Sequence, residues 1–240
     1  MRALILAAGR GKRMGKLTNE IPKPLLKVGG RYLIEFSILR LKQAGIKDII
    51  INVFYLGDQI KTALGNGKQY NVKITYSEEH EPLEVGGGIV NALPLLGNDP
   101  FIVISSDIIT DYPLQNLPRY PEKLAHIVMV DNPKFNLQGD FGLRADFSKL
   151  ESPDVADMHA KPTFTFGNIG VYSPEIFAHC KSGSLTWREV MFPYIEKNQV
   201  TAELYQGAWY NIGTPNDLTD AIKHTQEDIN LRPLLVEHVF

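Results

Sequence analysis

Short apolar runs alternate with stretches of helical period along this chain. Residues 3–8, 48–53 and 72–77 read as strands, while 33–44 and 58–64 between them carry the i, i+3, i+4 spacing of amphipathic helices. Residues 86–95 continue as a helix and 101–105 as a buried strand. This alternation predicts a wound parallel sheet with right-handed crossovers and helices on both faces. The second half is less regular: 124–131 and 164–172 read as strands, 185–197 as a helix and 201–205 as a short strand, forming an excursion from the first sheet. A last helix is expected over 217–230, opened by Gly213-Thr214-Pro215 with Thr214 or Asn216 as its cap. No repeat, low-complexity tract or linker interrupts the pattern, so a single domain over 1–240 is expected.

Composition narrows the class. At 44% apolar and 22% charged residues, with 20 Gly and 15 Pro in 240, the chain matches a globular protein and not a disordered, collagen-like or coiled-coil one. Its one cysteine, Cys180, excludes an internal disulfide framework and a thiolate zinc cluster, and the six histidines show no zinc spacing. The apolar N-terminal run is cut short by Gly9-Arg10-Gly11-Lys12-Arg13, and nothing else approaches the roughly 20 apolar residues of a membrane helix. A soluble, cytoplasmic protein with no membrane partner is the expectation.

Net charge is −2, which argues against nucleic acid as a partner, but the distribution is uneven. Residues 1–27 hold seven cations, Arg2, Arg10, Lys12, Arg13, Lys16, Lys23 and Lys27, against Glu20 alone; this surplus of six leaves −8 for the rest. These cations are interleaved with glycines directly after a buried strand, where backbone amides can converge on phosphate. A dinucleotide fingerprint does not fit: Met14 stands at the third glycine, Pro22 and Pro24 interrupt the helix, and Asn52-Val53 occupy the place of the ribose acid. A P-loop does not fit either, because five residues separate Gly9 from Gly15 and Leu17 replaces the hydroxyl residue after Lys16.

The string Leu6-Ala7-Ala8-Gly9-Arg10-Gly11-Lys12-Arg13-Met14, followed by Pro22-Lys23-Pro24-Leu25, resembles the L-A-A-G-x-G-x-R-M…P-K-P-L signature of the sugar-1-phosphate nucleotidyltransferases. The resemblance runs through Glu81-Pro82-Leu83-Glu84-Val85-Gly86-Gly87-Gly88, Ser105-Ser106-Asp107, Gly139-Asp140-Phe141-Gly142, Asn168-Ile169-Gly170-Val171-Tyr172 and Trp209-Tyr210-Asn211-Ile212-Gly213-Thr214, nearly the full length. Within the family, the short chain, the E-P-L-E-x-G-G-G string and the G-D-F string are most similar to the branch that uridylylates N-acetylmuramate 1-phosphate in peptidoglycan recycling. Two departures stand out. Gly15-Lys16-Leu17-Thr18 replaces the usual R-P-L-T, and Asn211 replaces the usual metal aspartate. An asparagine occupies the matching place in related N-acetylglucosamine 1-phosphate uridylyltransferases, which implies a weaker Mg²⁺ ligand here.

The resemblance implies a Rossmann-like three-layer α/β/α nucleotidyltransferase fold, with a mostly parallel central sheet and a smaller sugar-binding excursion. It implies a nucleotide-binding part over about 1–112 and a sugar-binding, metal-completing part over about 113–240. Two polyanions, UTP and a sugar 1-phosphate, would meet there, so cation clamps and positioning should supply most of the catalysis. The catalytic candidates are Arg13, whose planar fork suits phosphate, and Lys23, expected exposed between two stiffening prolines. The nucleotide would contact Leu6, Ala8, Gly9, Gly11, Lys12, Arg13, Lys23, Glu81 and Gly86, with exposed backbone around the 86–88 glycines reading the base. The sugar would contact Ser105, Asp140, Gly142 and Asn168. Asp107, at the carboxyl edge of its strand, would hold Mg²⁺ with Asn211, and Asp111 is its competitor. A lactyl carboxylate would need a cation, Arg144 or Lys161. Two alternatives remain open at this level: a guanylyl, thymidylyl or cytidylyl transferase for another sugar 1-phosphate, and a non-catalytic sugar-nucleotide sensor.

Overall fold

The computed structural model describes residues 1–145, 154–228 and 231–236. Strand β1 (Ala3–Leu6) runs directly into the basic loop, which coils as a 3₁₀ segment over Lys12–Thr18. A hairpin of β2 (Lys27–Val28) and β3 (Arg31–Tyr32) leads into α1 (Leu33–Gln43), then β4 (Asp48–Val53), α2 (Gly57–Leu64), β5 (Lys73–Glu78) and α3 (Glu84–Leu96). Next come β6 (Phe101–Ser105), β7 (Ile108–Thr110), β8 (Ala125–Val130), β9 (Phe141–Arg144), β10 (Asp154–Asp157) and β11 (Thr163–Tyr172). Helix α4 (Trp187–Glu196), β12 (Val200–Tyr205), β13 (Trp209–Asn211), α5 (Pro215–Glu227) and the short α6 (Arg232–Val236) complete the described chain.

Among the described residues, nine strands form one sheet in the order β5-β4-β1-β6-β11-β8-β12-β10-β9. The first-half strands β5, β4, β1 and β6 are all parallel, as the βαβ pattern predicts. The irregular second half is built on the same sheet: β11 joins antiparallel to β6, and β8, β12, β10 and β9 extend it outward. Seven of the nine strands point one way, with β11 and β10 reversed.

Alternate residues of the central strands feed two cores, one on each face, as the period of two requires. Ala3, Ile5, Ile49 and Ile51 pack with Ile34 and Ile38 of α1 and Ile60 and Leu64 of α2. Leu4, Ile50, Phe101 and Val103 pack on the other side with Ile89 and Leu96 of α3 and Met191 and Ile195 of α4. A third cluster joins Met14 of the basic loop to Val28, Leu33, Phe36, Ile109, Ile212, Ala221, Leu231 and Leu234. It fixes the loop to the C-terminal helices.

Helix ends follow their local chemistry. The Thr214 hydroxyl accepts from the Asp217 amide at 3.3 Å while Asp217 accepts from the Thr214 amide at 2.7 Å, and Pro215 occupies the first turn. Thr214 is therefore the cap, α5 starts two residues before the expected 217, and Asn230 lies outside the described residues. Thr186 and Glu189 make the same reciprocal pair at α4, which delays its start from 185 to Trp187. The strands that periodicity missed, β2, β3, β7, β9, β10 and β13, span two to four residues each, too short to display a period.

Helix α3 begins at Glu84, two residues earlier than expected, because its glycines are packing surfaces. The Gly87 amide donates to the Leu185 carbonyl at 2.9 Å, and the Leu185 amide donates to Leu83 O at 2.9 Å. A Cβ on Gly87 would lie 2.2 Å from the Gly183 carbonyl oxygen, and one on Gly86 2.7 Å from that of Thr186. Gly87→Ala is expected to cost about 1–3 kcal/mol of stability by forcing these backbones apart. Urea unfolding of the variant against the parent measures it, and an unchanged midpoint would refute the close approach.

Candidate active site

The site begins where β1 ends. Gly9 is exposed with open space around it, and Gly11 turns in the left-handed region at φ 65°, where a side chain would be strained and would press on Lys23. From Gly11 the chain coils around Thr18, whose hydroxyl donates to Gly11 O at 3.1 Å. Outside that coil, the Tyr55 hydroxyl donates to Thr18 O at 2.9 Å, and the Arg10 guanidinium sits 5.3 Å from the Tyr55 ring centroid. Lys12, Arg13 and Lys16 remain exposed along the coil. Beneath the loop, Asn52 accepts the Ala7 amide at 2.7 Å and donates to Glu79 Oε1 at 2.7 Å. Both are buried, and burial pushes the Glu79 carboxyl up despite that bond from Asn52. Asn52 thus stands where a dinucleotide fold would carry its acid and instead props up the loop.

Lys23 departs from expectation. It is 8% exposed, packed between Pro22 and Pro24, and its ammonium forms an ion pair with the Asp107 carboxylate. The carboxyl end of β6 delivers Asp107, and the Ile212 amide donates to Asp107 O at 2.9 Å. Pairing of β13 with β7 sets Asn211 opposite Ile108, one residue past Asp107. Arg13 completes this corner: a Cβ on Gly213 would come within 3.2 Å of both terminal guanidinium nitrogens. Only glycine admits the guanidinium this closely without displacement.

The Asn211 amide oxygen is buried and, among the described residues, has no hydrogen-bond partner. Buried polar atoms are nearly always satisfied, so such an oxygen is suited to a ligand. With the Asp107 carboxylate it offers two hard oxygens, the donor type that Mg²⁺ takes, and phosphate oxygens or water can supply the remaining positions. The residues fit a divalent cation. Asp111, the competing metal candidate, is engaged by the Tyr205 hydroxyl, and that contact ties it to a ring packed edge-on to Tyr112.

A cavity of about 430 Å³ adjoins this corner, lined in part by Asn211, Trp209, Asn168, Asp140, Trp187 and Arg188. Asn168 sits at a bulge where the β11–β8 register shifts between Phe166 and Gly170, and its φ of 57° is left-handed. The bulge re-aims its side chain to the cavity wall. Trp187 stacks on Phe166 with centroids 4.4 Å apart and donates its indole N–H to the Tyr172 hydroxyl at 3.1 Å. Glu84, also left-handed at φ 58°, lies on the wall at the start of α3.

The structure gathers Gly11, Arg13, Lys23, Asp107 and Asn211 in one region, and Asp140 and Asn168 in the adjoining cavity. The remaining candidates stand in varied surroundings. Leu6 and Ala8 flank the loop's entry, half-buried, and Lys12 and Glu81 are exposed. Gly86 is buried inside α3 and is not part of an exposed base-reading loop, because it faces the 185–186 backbone. Ser105 O accepts from the Ser37 hydroxyl at 3.1 Å. A Cβ on Gly142 would lie 2.3 Å from Ala160 O, so that glycine permits the close approach of the segment joining β10 to β11. Arg144 pairs with Asp157 at 2.7 Å beside a second cavity, and Lys161 is exposed outside the first. Sequence reasoning missed Asn52, Tyr55, Trp187 and Arg188; none belongs to a string that marks it.

Comparisons with known proteins agree with this geometry. Residues 2–228 match the nucleotidyl transferase family. The chain is 42% identical over 228 residues to N-acetylmuramate alpha-1-phosphate uridylyltransferase of Neisseria meningitidis serogroup B, covering 92% of this chain and 96% of that protein. It is 34% identical to mannose-1-phosphate guanyltransferase of Aspergillus oryzae over 90% of this chain, spanning 62% of that relative's length. A crystal structure from Bacillus anthracis, assigned as a glucose-1-phosphate thymidylyltransferase, superposes with a TM-score of 0.77 at 22% identity, covering 95% and 96% of the two chains. That likeness establishes the nucleotidyltransferase fold, and the sequence matches, extending over nearly all of the chain from the glycine loop past Asn211, establish that it belongs to the nucleotidyl transferase family.

Proposed function

We propose that this protein joins a sugar 1-phosphate, N-acetylmuramate 1-phosphate, to UTP and releases pyrophosphate with the UDP-sugar. The observation that carries this reading is the near full-length likeness to the Neisseria meningitidis uridylyltransferase. The division into a nucleotide part, about 1–112, and a sugar part, about 113–240, belongs to the same proposal. A cytoplasmic role in peptidoglycan recycling follows from the substrate. The free thiol of Cys180 fits a reducing compartment, and no helix among the described residues is long and apolar enough to cross a membrane.

In this reaction a sugar-phosphate oxygen attacks the α-phosphorus of UTP, the bond from that phosphorus to the β-phosphate oxygen breaks, and pyrophosphate departs in line. The attacking oxygen is already anionic, so the protein needs no activated nucleophile. Its work is to hold two repelling anions in line. Arg13 would grip the outgoing phosphates beside Gly9 and Gly11, and Lys23 would span the α-phosphate and the sugar phosphate. Asp107 and Asn211 would hold Mg²⁺, which when bound neutralises phosphate oxygens as a Lewis acid.

A panel of the four NTPs against several sugar 1-phosphates, read as pyrophosphate release, tests the reading. UTP with N-acetylmuramate 1-phosphate should give the highest kcat/KM. Preference for GTP with mannose 1-phosphate would instead place the chain with its guanyltransferase relatives, and binding without turnover would make it a sensor.

Burial of Lys23 changes the expectation for its removal. Lys23→Met should lower kcat about a hundredfold or more by deleting a phosphate clamp. It should also cost about 1–3 kcal/mol of stability, since Asp107 loses its charged partner. Denaturant curves and turnover measured on the same preparation check both.

Asn211→Asp adds a carboxylate of nearly the same shape to the metal pair. It should lower the Mg²⁺ concentration for half-maximal activity with little change of fold. If Asn211→Asp and Asn211→Ala both leave the Mg²⁺ requirement unchanged, residue 211 does not touch the metal.

A further inference from the structure

Asp140, a sugar-contact candidate on the cavity wall, already holds two partners within the protein. Its Oδ2 accepts the Phe166 amide at 2.9 Å and its Oδ1 accepts Arg188 Nη2 at 2.8 Å. The carboxylate is mostly buried and anchored to β11, while the Arg188 side chain is 64% exposed with its guanidinium 5.7 Å from the Phe192 ring centroid. Arg188 is therefore held on two sides. Among the described residues lining the cavity that adjoins Asn211, Arg188 is the one cation, and the acids there are Asp140 and Glu84.

Arg188 is thus the cavity's point of attachment for an anionic group on the ligand, oriented there by a half-buried carboxylate. A guanidinium carries five N–H donors in a planar fork; Asp140 takes one, leaving donors for a second carboxylate. The ligand's phosphate would be engaged at the other end of the site, by Arg13 and Lys23, so a second anionic group on the sugar is the natural occupant. N-acetylmuramate differs from N-acetylglucosamine only by a lactyl ether that bears a carboxylate.

We propose that Arg188 is the specificity-determining residue that takes this lactyl carboxylate, and that Asp140 is its positioning residue. The assignment rests on the uridylyltransferase reading above and replaces both Arg144, paired with Asp157 beside another cavity, and Lys161.

Calorimetry on the full chain with UDP, UDP-N-acetylglucosamine and UDP-N-acetylmuramate tests it. The parent should bind UDP-N-acetylmuramate more tightly than UDP-N-acetylglucosamine. Arg188→Gln keeps a donor for Asp140 while removing the charge. It should lose about tenfold or more in affinity for UDP-N-acetylmuramate and leave UDP and UDP-N-acetylglucosamine unchanged. Arg188→Lys should retain part of the preference. In turnover, KM for N-acetylmuramate 1-phosphate should rise with kcat little changed, as for a contact equal in ground and transition states. A parent without the preference overturns the substrate reading and this assignment together. A parent with the preference and an Arg188→Gln variant that keeps it overturns the assignment alone.

Discussion

The short ladder between β13 and β7 is the constraint on which the site depends. It sets Asn211 opposite Ile108 and, through the Ile212 amide on the Asp107 carbonyl, brings together residues more than a hundred positions apart. Closing so long a loop costs entropy that only a well-packed contact offsets. Ile212 supplies that contact by joining Met14, Ile109 and Ala221 in a buried cluster. Met14 lies within the basic coil, so the same cluster that seats Asn211 beside Asp107 also seats Arg13 against Gly213. Position of the cationic loop and the approach of Asn211 to Asp107 are thus consequences of one packing event.

Glycine-rich loops are often taken as mobile, but this one is braced. Asn52 holds the Ala7 amide from below, Thr18 gathers the Gly11 carbonyl, and Tyr55 pins the far end. Backbone donors aimed at a developing charge stabilise it most when they need no reorganisation. The part-buried Lys23–Asp107 pair extends that principle to the side chains. Each charge is held in place by the other before any phosphate arrives, so the ammonium need not be recruited from solvent.

Much of this was legible in the sequence, for reasons that vary with the feature. The strand–helix alternation of residues 3–105 encodes period and burial directly, and the parallel half of the sheet follows from it. Asp107 could be placed because it ends an apolar strand. Burial of Lys23 could not, since nothing in Pro22-Lys23-Pro24 reveals that Asp107 lies across from it. The helix at the 86–88 glycines was legible but their burial was not, because a glycine needed for close packing reads the same as one whose backbone is exposed. Asp140 was legible as a cavity residue but not as an anchor, because its partners, the Phe166 amide and Arg188, come from β11 and α4. Arg188 itself stands in a segment whose only sequence signal is the start of a helix.

The two helix starts that line the cavity form one wall. Leu185 exchanges backbone bonds with Leu83 and Gly87 at 2.9 Å, which locks the first turn of α3 to the approach to α4. Glu84 adopts a left-handed φ of 58° as the chain enters α3 at this seam, a conformation that costs an L-residue of its kind about 1–2 kcal/mol. Asn168, across the cavity, is left-handed too, but its side chain tolerates that region better. Strain of this kind persists only where surrounding contacts fix the backbone, and here the seam does so. Because Thr186, Trp187 and Arg188 follow Leu185 directly, the same backbone bonds tie the start of α4, with Trp187 and Arg188, to the first turn of α3. The part of the wall that carries Glu84 and Val85 and the part that carries Arg188 are therefore joined through this seam. Under the proposed function, selection of the sugar is tied to the entry of α3, and substitutions at the three glycines act on this cavity as well as on the core.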